Sequence, residues 1–314
     1  MKAIMKEAIE AASRVGRKAA ASESLTSETK QKLAQLRANG YVVFNHCVGT
    51  KAFADLQKFV ASRIEDDLAF TTPCLAQKKI DQERDADLIA HNFKVSKSEL
   101  VERELVFSRE QVRDYEQVID EFGPSTLTLP MPQDPAMYSL WLDDKVRSVI
   151  EAYMGFAPIL KEAYIRRNFP CTYRVMNHKW HRDTNHRKHL LKAFIFFTDC
   201  DIETGAHHYV AGSVQDERFR ENRYFEDAEI DAAYPMESGK QIVSTVPAGT
   251  IILEDTRGLH KAGIPKRSYR DLGFAVFVPH NVLNRKEPLY SVDANTVQAL
   301  SPFQRKYIPK SSIK

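Results

Sequence analysis

Cysteine is scarce in this 314-residue chain: Cys47, Cys74, Cys171 and Cys200 are the full set, and no two of them form a Cys-x-x-Cys pair. A disulfide framework is excluded, and the pattern is that of reduced thiols in a cytoplasmic protein. Long apolar runs are missing too, with nothing near the roughly 20 residues that a membrane-crossing helix requires. Glu7 and Glu10 interrupt the lysines of the first twenty residues, so no secretion signal is expected there. Nor is there an excess of charge of one sign. The 45 basic side chains stand against 42 acidic ones, and a formal charge of +3 offers no strong field to nucleic acid or a membrane surface. No internal repeat is visible. What the chain does have is a hydrophobic fraction of 43%, enough for a sizeable core.

The two halves are punctuated differently. In the first, Ile4, Ala8, Ala11, Val15 and Ala19 suggest a weak amphipathic helix over 2–20. Thr26 or Ser27 caps a second helix that stops at Asn39-Gly40, Tyr41-Val42-Val43-Phe44 reads as a short strand, and Thr50 caps a helix over 51–64. A polar, charge-rich stretch follows and reads as a lid-like insert over 66–140, crossed near its end by Pro124, Pro130, Pro132 and Pro135. A helix from about Asp143 to Tyr153 ends at Gly155. Beyond residue 162, extended runs at 162–168, 172–180, 191–198, 206–210, 241–246, 250–255 and 271–278 alternate with turn signals. Such spacing suits two antiparallel sheets folded as a jelly roll, or double-stranded β-helix. The expected class is α+β with a mainly β core, in one domain over 1–314. It comprises a mostly helical part to 155, the jelly roll at 156–285 and a tail at 286–314.

Within that second half lies His181-Arg182-Asp183. Residues two apart on a strand point the same way, so His181 and Asp183 can hold one metal ion from one side. His260 follows a second extended run, launched from Pro247-Ala248-Gly249, and supplies a third ligand. Two imidazoles and a carboxylate on one face of an ion leave its other positions open, as in non-haem Fe(II) oxygenases. With ten histidines in the chain, a chance His-x-Asp is about an even bet, so the surrounding pattern carries the weight.

That pattern is ordered. Trp180-His181-Arg182-Asp183 is followed by Asp199-Cys200-Asp201-Ile202-Glu203-Thr204-Gly205-Ala206, then Val210-Ala211-Gly212-Ser213, then Asp255-Thr256-Arg257-Gly258-Leu259-His260, with Arg270 ten residues on. From about 160 to 280 the chain resembles the phytanoyl-CoA dioxygenase-like branch of the Fe(II)/2-oxoglutarate oxygenases, departing from it at Val214, where a histidine is usual. The resemblance implies that His181, Asp183 and His260 hold Fe(II), that Arg270 pairs with the far carboxylate of 2-oxoglutarate, and that Ser268 adds a hydrogen bond to it. O₂ would take the remaining metal position, and a small-molecule C–H bond would be hydroxylated with release of succinate and CO₂. A carboxylate at position 183, where related halogenases carry a small residue, implies hydroxylation, or another oxidative outcome, over halogenation. Arg267 and Lys266 compete with Arg270 for the cosubstrate.

If 172–183 keeps a regular register, Tyr173, Val175, Asn177 and Lys179 share the inward face with His181 and Asp183 and line the substrate cavity. A lysine buried there needs an anionic partner, either a protein carboxylate or an acidic group of the substrate. His207 and His208 are adjacent, so only one of them can face inward. His46, His91, His189 and His280 read as surface or hydrogen-bonded core histidines. Two other classes fit the scaffold: a cupin-like metal enzyme that uses no 2-oxoglutarate, and a non-catalytic ligand-binding jelly roll.

Overall fold

Turn chemistry sets the amino-terminal elements of the computed structural model, which describes residues 25–65, 126–170, 176–183, 189–221, 223–279 and 290–314. The hydroxyl of Thr26 accepts from the Thr29 amide and opens α1 (Ser27–Asn39), and Gly40 closes it at φ 83°, a conformation that glycine adopts without strain. β1 (Tyr41–Phe44) follows at once, and Thr50 starts α2 (Lys51–Glu65) by accepting from the Phe53 amide. These three elements stand where the sequence places them. The helix expected over 2–20 and the 66–125 part of the insert lie outside the described residues.

Residues 126–140 depart from the lid-like reading. They form β2 (Thr126–Pro130) at the edge of the main sheet, where the missing N–H of Pro130 is tolerated, and most of α3 (Pro135–Trp141), which buries Met137, Tyr138 and Trp141. α4 (Asp144–Met154) runs from the Asp143 cap to Gly155 at φ 78°, as the sequence predicts.

The remaining strands are β3 (Ile159–Asn168), β4 (Leu191–Phe196), β5 (His208–Val210), β6 (Gln241–Val243), β7 (Ile251–Glu254), β8 (His260–Lys261) and β9 (Arg270–Val278). A six-stranded antiparallel sheet has the order β1-β7-β4-β9-β3-β2, and a smaller sheet has the order β6-β5-β8. Together they form the jelly roll, a mainly β core with the amino-terminal helices packed around it. Between β5 and β6 lies α5 (Asp227–Ala233), and after β9 come α6 (Ala294–Ala299) and α7 (Pro302–Arg305).

Alternation along each strand separates two cores. Outward, Ala163, Ile165, Leu191, Ala193, Ile195, Ile251, Leu253, Ala275 and Phe277 meet the helices in one cluster. Gly273 lets Trp141 press against the sheet: a Cβ there would lie 2.9 Å from both Trp141 Cζ2 and Phe197 Cε2. Inward, Phe194, Phe196, Ile252, Leu272, Phe274 and Val276 form a second cluster between the sheets. Residues 290–314, read from sequence as a tail, belong to the outer core: Val292 and Tyr307 are buried, and the Leu160 amide donates to the Tyr307 carbonyl.

Of the strand expected over 172–180, residues 172–175 lie outside the described residues and 176–179 form no strand. Met176–His178 is a 3-10 turn whose Asn177 carbonyl accepts from the Ala262 amide at 2.7 Å, and β pairing begins only at Trp180, opposite Phe225. A turn there breaks the two-residue alternation on which the inward face was counted.

One ion pair is deeply buried. Arg167 donates to both carboxylate oxygens of its cross-strand partner Asp271 at 2.7 Å, with side chains 5% and 3% exposed. Asp271→Ala strands that guanidinium and is expected to cost about 3–5 kcal/mol, measurable by denaturant unfolding. A second pair links the β1–α2 turn to the start of α4. Asp143, 3.3 Å away, pushes His46 up to about 9 from 6.5. A raised folded-state value means that this contribution is complete below pH 6.5 and disappears as the pH rises through about 9. The drop in Tm caused by His46→Asn should therefore be larger at pH 6 than at pH 10.

Candidate metal centre

His181 and His260 are directly opposed residues of an antiparallel bridge, each amide donating to the other's carbonyl at 3.0 Å. Their rings lie side by side at a tilt of 49°, with centroids 4.2 Å apart. Asp183 is brought alongside by its own amide, which donates to the Thr256 carbonyl at 2.9 Å. One ligand atom from each of His181, Asp183 and His260 falls within 4.8 Å of the others.

Both rings are oriented by the backbone. His181 Nδ1 lies 2.8 Å from the Lys179 carbonyl and His260 Nδ1 lies 3.0 Å from the Gly258 carbonyl. A carbonyl only accepts, so each Nδ1 carries the proton and each Nε2 lone pair is left for a metal. Burial holds both imidazoles below their usual range, hence neutral. Burial alone would raise Asp183, but the Lys192 ammonium 2.6 Å from Oδ2, with the two histidines, holds it well below the usual carboxylate range. Neutral imidazoles beside an ionised carboxylate on one side of a shared point suit a ferrous ion.

The loops behind the ligands are tied by groups that the sequence motifs contain. Ser213 donates to the Val210 carbonyl and accepts from the Leu259 amide at 2.8 Å, anchoring the residue before His260. Asp255, fully buried, accepts from Tyr153 and from Arg257 Nε. Arg182, between the two ligands in sequence, turns away from them. Its guanidinium donates to the carbonyls of Ser213 and Arg257 at 2.7 Å, Phe219 at 2.8 Å and Arg218 at 3.0 Å. That role was not read from the sequence, although an arginine held between two ligands was a signal for it.

The interior face of the large sheet carries cross-strand rows. Tyr41, Glu254, Lys192, Val276 and Glu162 form one; Val43, Ile252, Phe194, Phe274 and Tyr164 the next; then Phe196, Leu272 and Arg166; then Arg270 and Asn168. Arg270 is 2% exposed, donates to Asn168 Oδ1 at 3.3 Å and keeps Nε and Nη1 buried without partners among the described residues. Burial lowers its pKa. Its rivals Arg267 and Lys266 are exposed. His207 is the inward member of the His207-His208 pair, 2.9 Å from the buried Glu254 carboxylate. Lys192, Glu254 and Tyr224, whose ring centroid is 5.6 Å from that of His181, were all missed in the sequence. Lys192 had a signal: it is the single charge in Leu190-Leu191-Lys192-Ala193-Phe194-Ile195-Phe196-Phe197.

The other sequence candidates lie elsewhere. Lys179 pairs with the surface carboxylate of Glu226 at 2.9 Å, so a protein acid answers its charge. Asn177 sits half-buried in the 3-10 turn, and Tyr173 lies outside the described residues. Ser268 is exposed in a bend two residues before β9 starts, off the interior face.

Arg182→Met removes the carbonyl clamp while leaving all three ligands. Outer groups of this kind are worth about 10–100-fold in metal affinity, and Co(II) titration should show a loss in that range with little change in far-UV circular dichroism.

Comparison with known proteins agrees with this geometry. A search of curated proteins gives no match. Among solved structures, EctD from S. alaskensis with 2-oxoglutarate and 5-hydroxyectoine has a TM-score of 0.52 at 16% identity, covering 91% of this chain and 86% of that one. EctD from S. alaskensis with bound Fe has a TM-score of 0.50 at 16% identity, covering 84% and 80%. At that identity the likeness is one of fold. The phytanoyl-CoA dioxygenase (PhyH) family model matches residues 36–266. With that match spanning most of the chain and the His181, Asp183 and His260 cluster inside it, the protein belongs to the phytanoyl-CoA dioxygenase family of Fe(II)/2-oxoglutarate-dependent oxygenases.

Proposed function

We propose that the enzyme hydroxylates a C–H bond of a small metabolite, with His181, Asp183 and His260 as the Fe(II) ligands and Arg270 as the anchor of 2-oxoglutarate. The observation that carries this reading is the pairing of a half-buried His-Asp-His cluster with a buried guanidinium on the interior of the same jelly roll. When bound, the ferrous ion and 2-oxoglutarate activate O₂, with the cosubstrate converted to succinate and CO₂ as one oxygen atom enters the substrate.

Each side chain has a separate task. The two Nε2 atoms and the Asp183 carboxylate would hold the ferrous ion, a ligand set that suits an ion with positions to spare for cosubstrate and O₂. Arg270, whose Nε and Nη1 are buried without partners among the described residues, would meet the distal carboxylate of 2-oxoglutarate with a guanidinium that is costly to leave unanswered in an apolar wall. Phe194, Leu272 and Phe274 keep bulk water from the reacting carbon. Asp183 occupies the position that a halide would need, which supports oxygen insertion. EctD, which shares the fold, was crystallised with 2-oxoglutarate and a hydroxylated small molecule, 5-hydroxyectoine.

The test is O₂ uptake and succinate formation by the Fe(II)-loaded protein. Both should require 2-oxoglutarate, and Arg270→Met should raise the KM for 2-oxoglutarate by tenfold or more while Fe(II) still binds. Turnover indifferent to 2-oxoglutarate would point to a cupin-like enzyme; failure to bind Fe(II) anaerobically would leave only a ligand-binding module.

A further inference from the structure

Arg270 is not the only interior cation short of a partner. On β3, Glu162, Tyr164, Arg166 and Asn168 line the interior face, opposite Val276, Phe274, Leu272 and Arg270 in turn. Arg166 Nη2 donates to the Tyr164 hydroxyl at 3.1 Å, but its Nε is buried with no partner among the described residues. The guanidinium carbon stands 5.2 Å from the Tyr164 ring centroid and 6.0 Å from that of Phe274, and those two rings are stacked 4.7 Å apart. From the neighbouring strand, Lys192 Nζ lies 5.1 Å from the same Phe274 centroid. One aromatic ring is thus framed by two cations.

We propose that Arg166, with Lys192 across the Phe274 ring, receives an oxyanion group of the substrate. The inference rests on the oxygenase reading above and adds the substrate's chemistry to it. The protein's own carboxylates do not meet the demand. Glu254 is engaged by His207. Asp183 is shared between Lys192 and the metal position. Glu162, the remaining acid on this face, makes no ion pair among the described residues, and burial raises its pKa toward the neutral form. The 2-oxoglutarate dianion does not meet it either, since Arg270 and the metal take its two ends.

Arg166 and Arg270 stand one row apart on the same face of paired strands, so their guanidiniums repel each other in a low-dielectric wall, and each needs its own counter-charge. A second acid beside the first satisfies Arg166 with the charge-assisted geometry that guanidinium favours. Its position suits a substrate. Lys192, 5.1 Å from the Phe274 ring centroid that Arg166 also approaches, lies 2.6 Å from Asp183 Oδ2, so an acid held there keeps the rest of a small molecule beside the metal ligands. Binding energy from a group away from the reacting carbon then orients that carbon.

The experiment uses Co(II)-loaded full-length protein. A shift of the Co(II) absorption on adding 2-oxoglutarate first establishes cosubstrate binding; its absence would defeat the oxygenase reading itself, and this inference with it. With 2-oxoglutarate saturating, inorganic phosphate and [13C]acetate are titrated in, and the paramagnetic relaxation of 31P and 13C is recorded. The expected result is saturable relaxation by at least one of them, the better binder marking the substrate's acid as phosphate or carboxylate. Arg166→Met should weaken that binding tenfold or more while changing 2-oxoglutarate affinity less than threefold. Arg166→Gln, a smaller change that removes the charge and keeps a hydrogen-bond donor, gives the same reading should Arg166→Met fail to fold. No saturable relaxation, anions displaced by 2-oxoglutarate, or unchanged anion binding in the folded variants would each overturn the proposal.

Discussion

The pair of hydrogen bonds between His181 and His260 is the constraint on which the rest of the site depends. Residues 79 positions apart are made direct neighbours by a ladder step, and a ladder step fixes side-chain direction as well as distance. Asp183 then needs only one more bond, from its amide to Thr256, to join them. Everything behind the pair serves to hold it: Ser213 secures Leu259, Arg182 gathers four loop carbonyls, and Asp255 is locked by Tyr153 and Arg257. Each of these polar groups is satisfied within the protein, as burial requires.

Against that satisfied frame, the unsatisfied groups stand out. An apolar jelly-roll interior tolerates a charge only when something answers it, and most charges here are answered: Asp271 by Arg167, Glu254 by His207, Asp183 by Lys192. Among the described residues, nitrogens of Arg166 and Arg270, which occupy adjacent rows of one sheet face, are not answered in this way. Unpaired donors in such a wall cost more than surface charges do, and a fold keeps them where an anionic ligand completes them.

Much of the fold was legible because local chemistry wrote it. Thr26, Gly40, Thr50, Asp143 and Gly155 bracket helices by capping, and the inward set Leu272, Phe274, Val276 and Val278 follows from strand alternation. The readings that failed are those that tertiary contacts override. Asn177 gives its carbonyl to Ala262 and the strand becomes a turn; Lys179 consequently finds Glu226. Residues 126–130 look irregular because of Pro130, yet β3 offers an edge on which a proline is harmless. Ser268 falls in a bend because β9 begins only at Arg270.

Spacing, residue type and order along the chain, with the family resemblance they carry, were enough to give the jelly roll and to single out His181, Asp183, His260 and Arg270 as candidates. They sufficed because ligand chemistry tolerates few residue types and a strand has a period of two. Which cations line the cavity was decided only when β3, β4 and β9 were laid side by side: Lys192 and Arg166 are 26 residues apart and meet across Phe274. Cross-strand register is a property of paired chains, and no single stretch of sequence contains it.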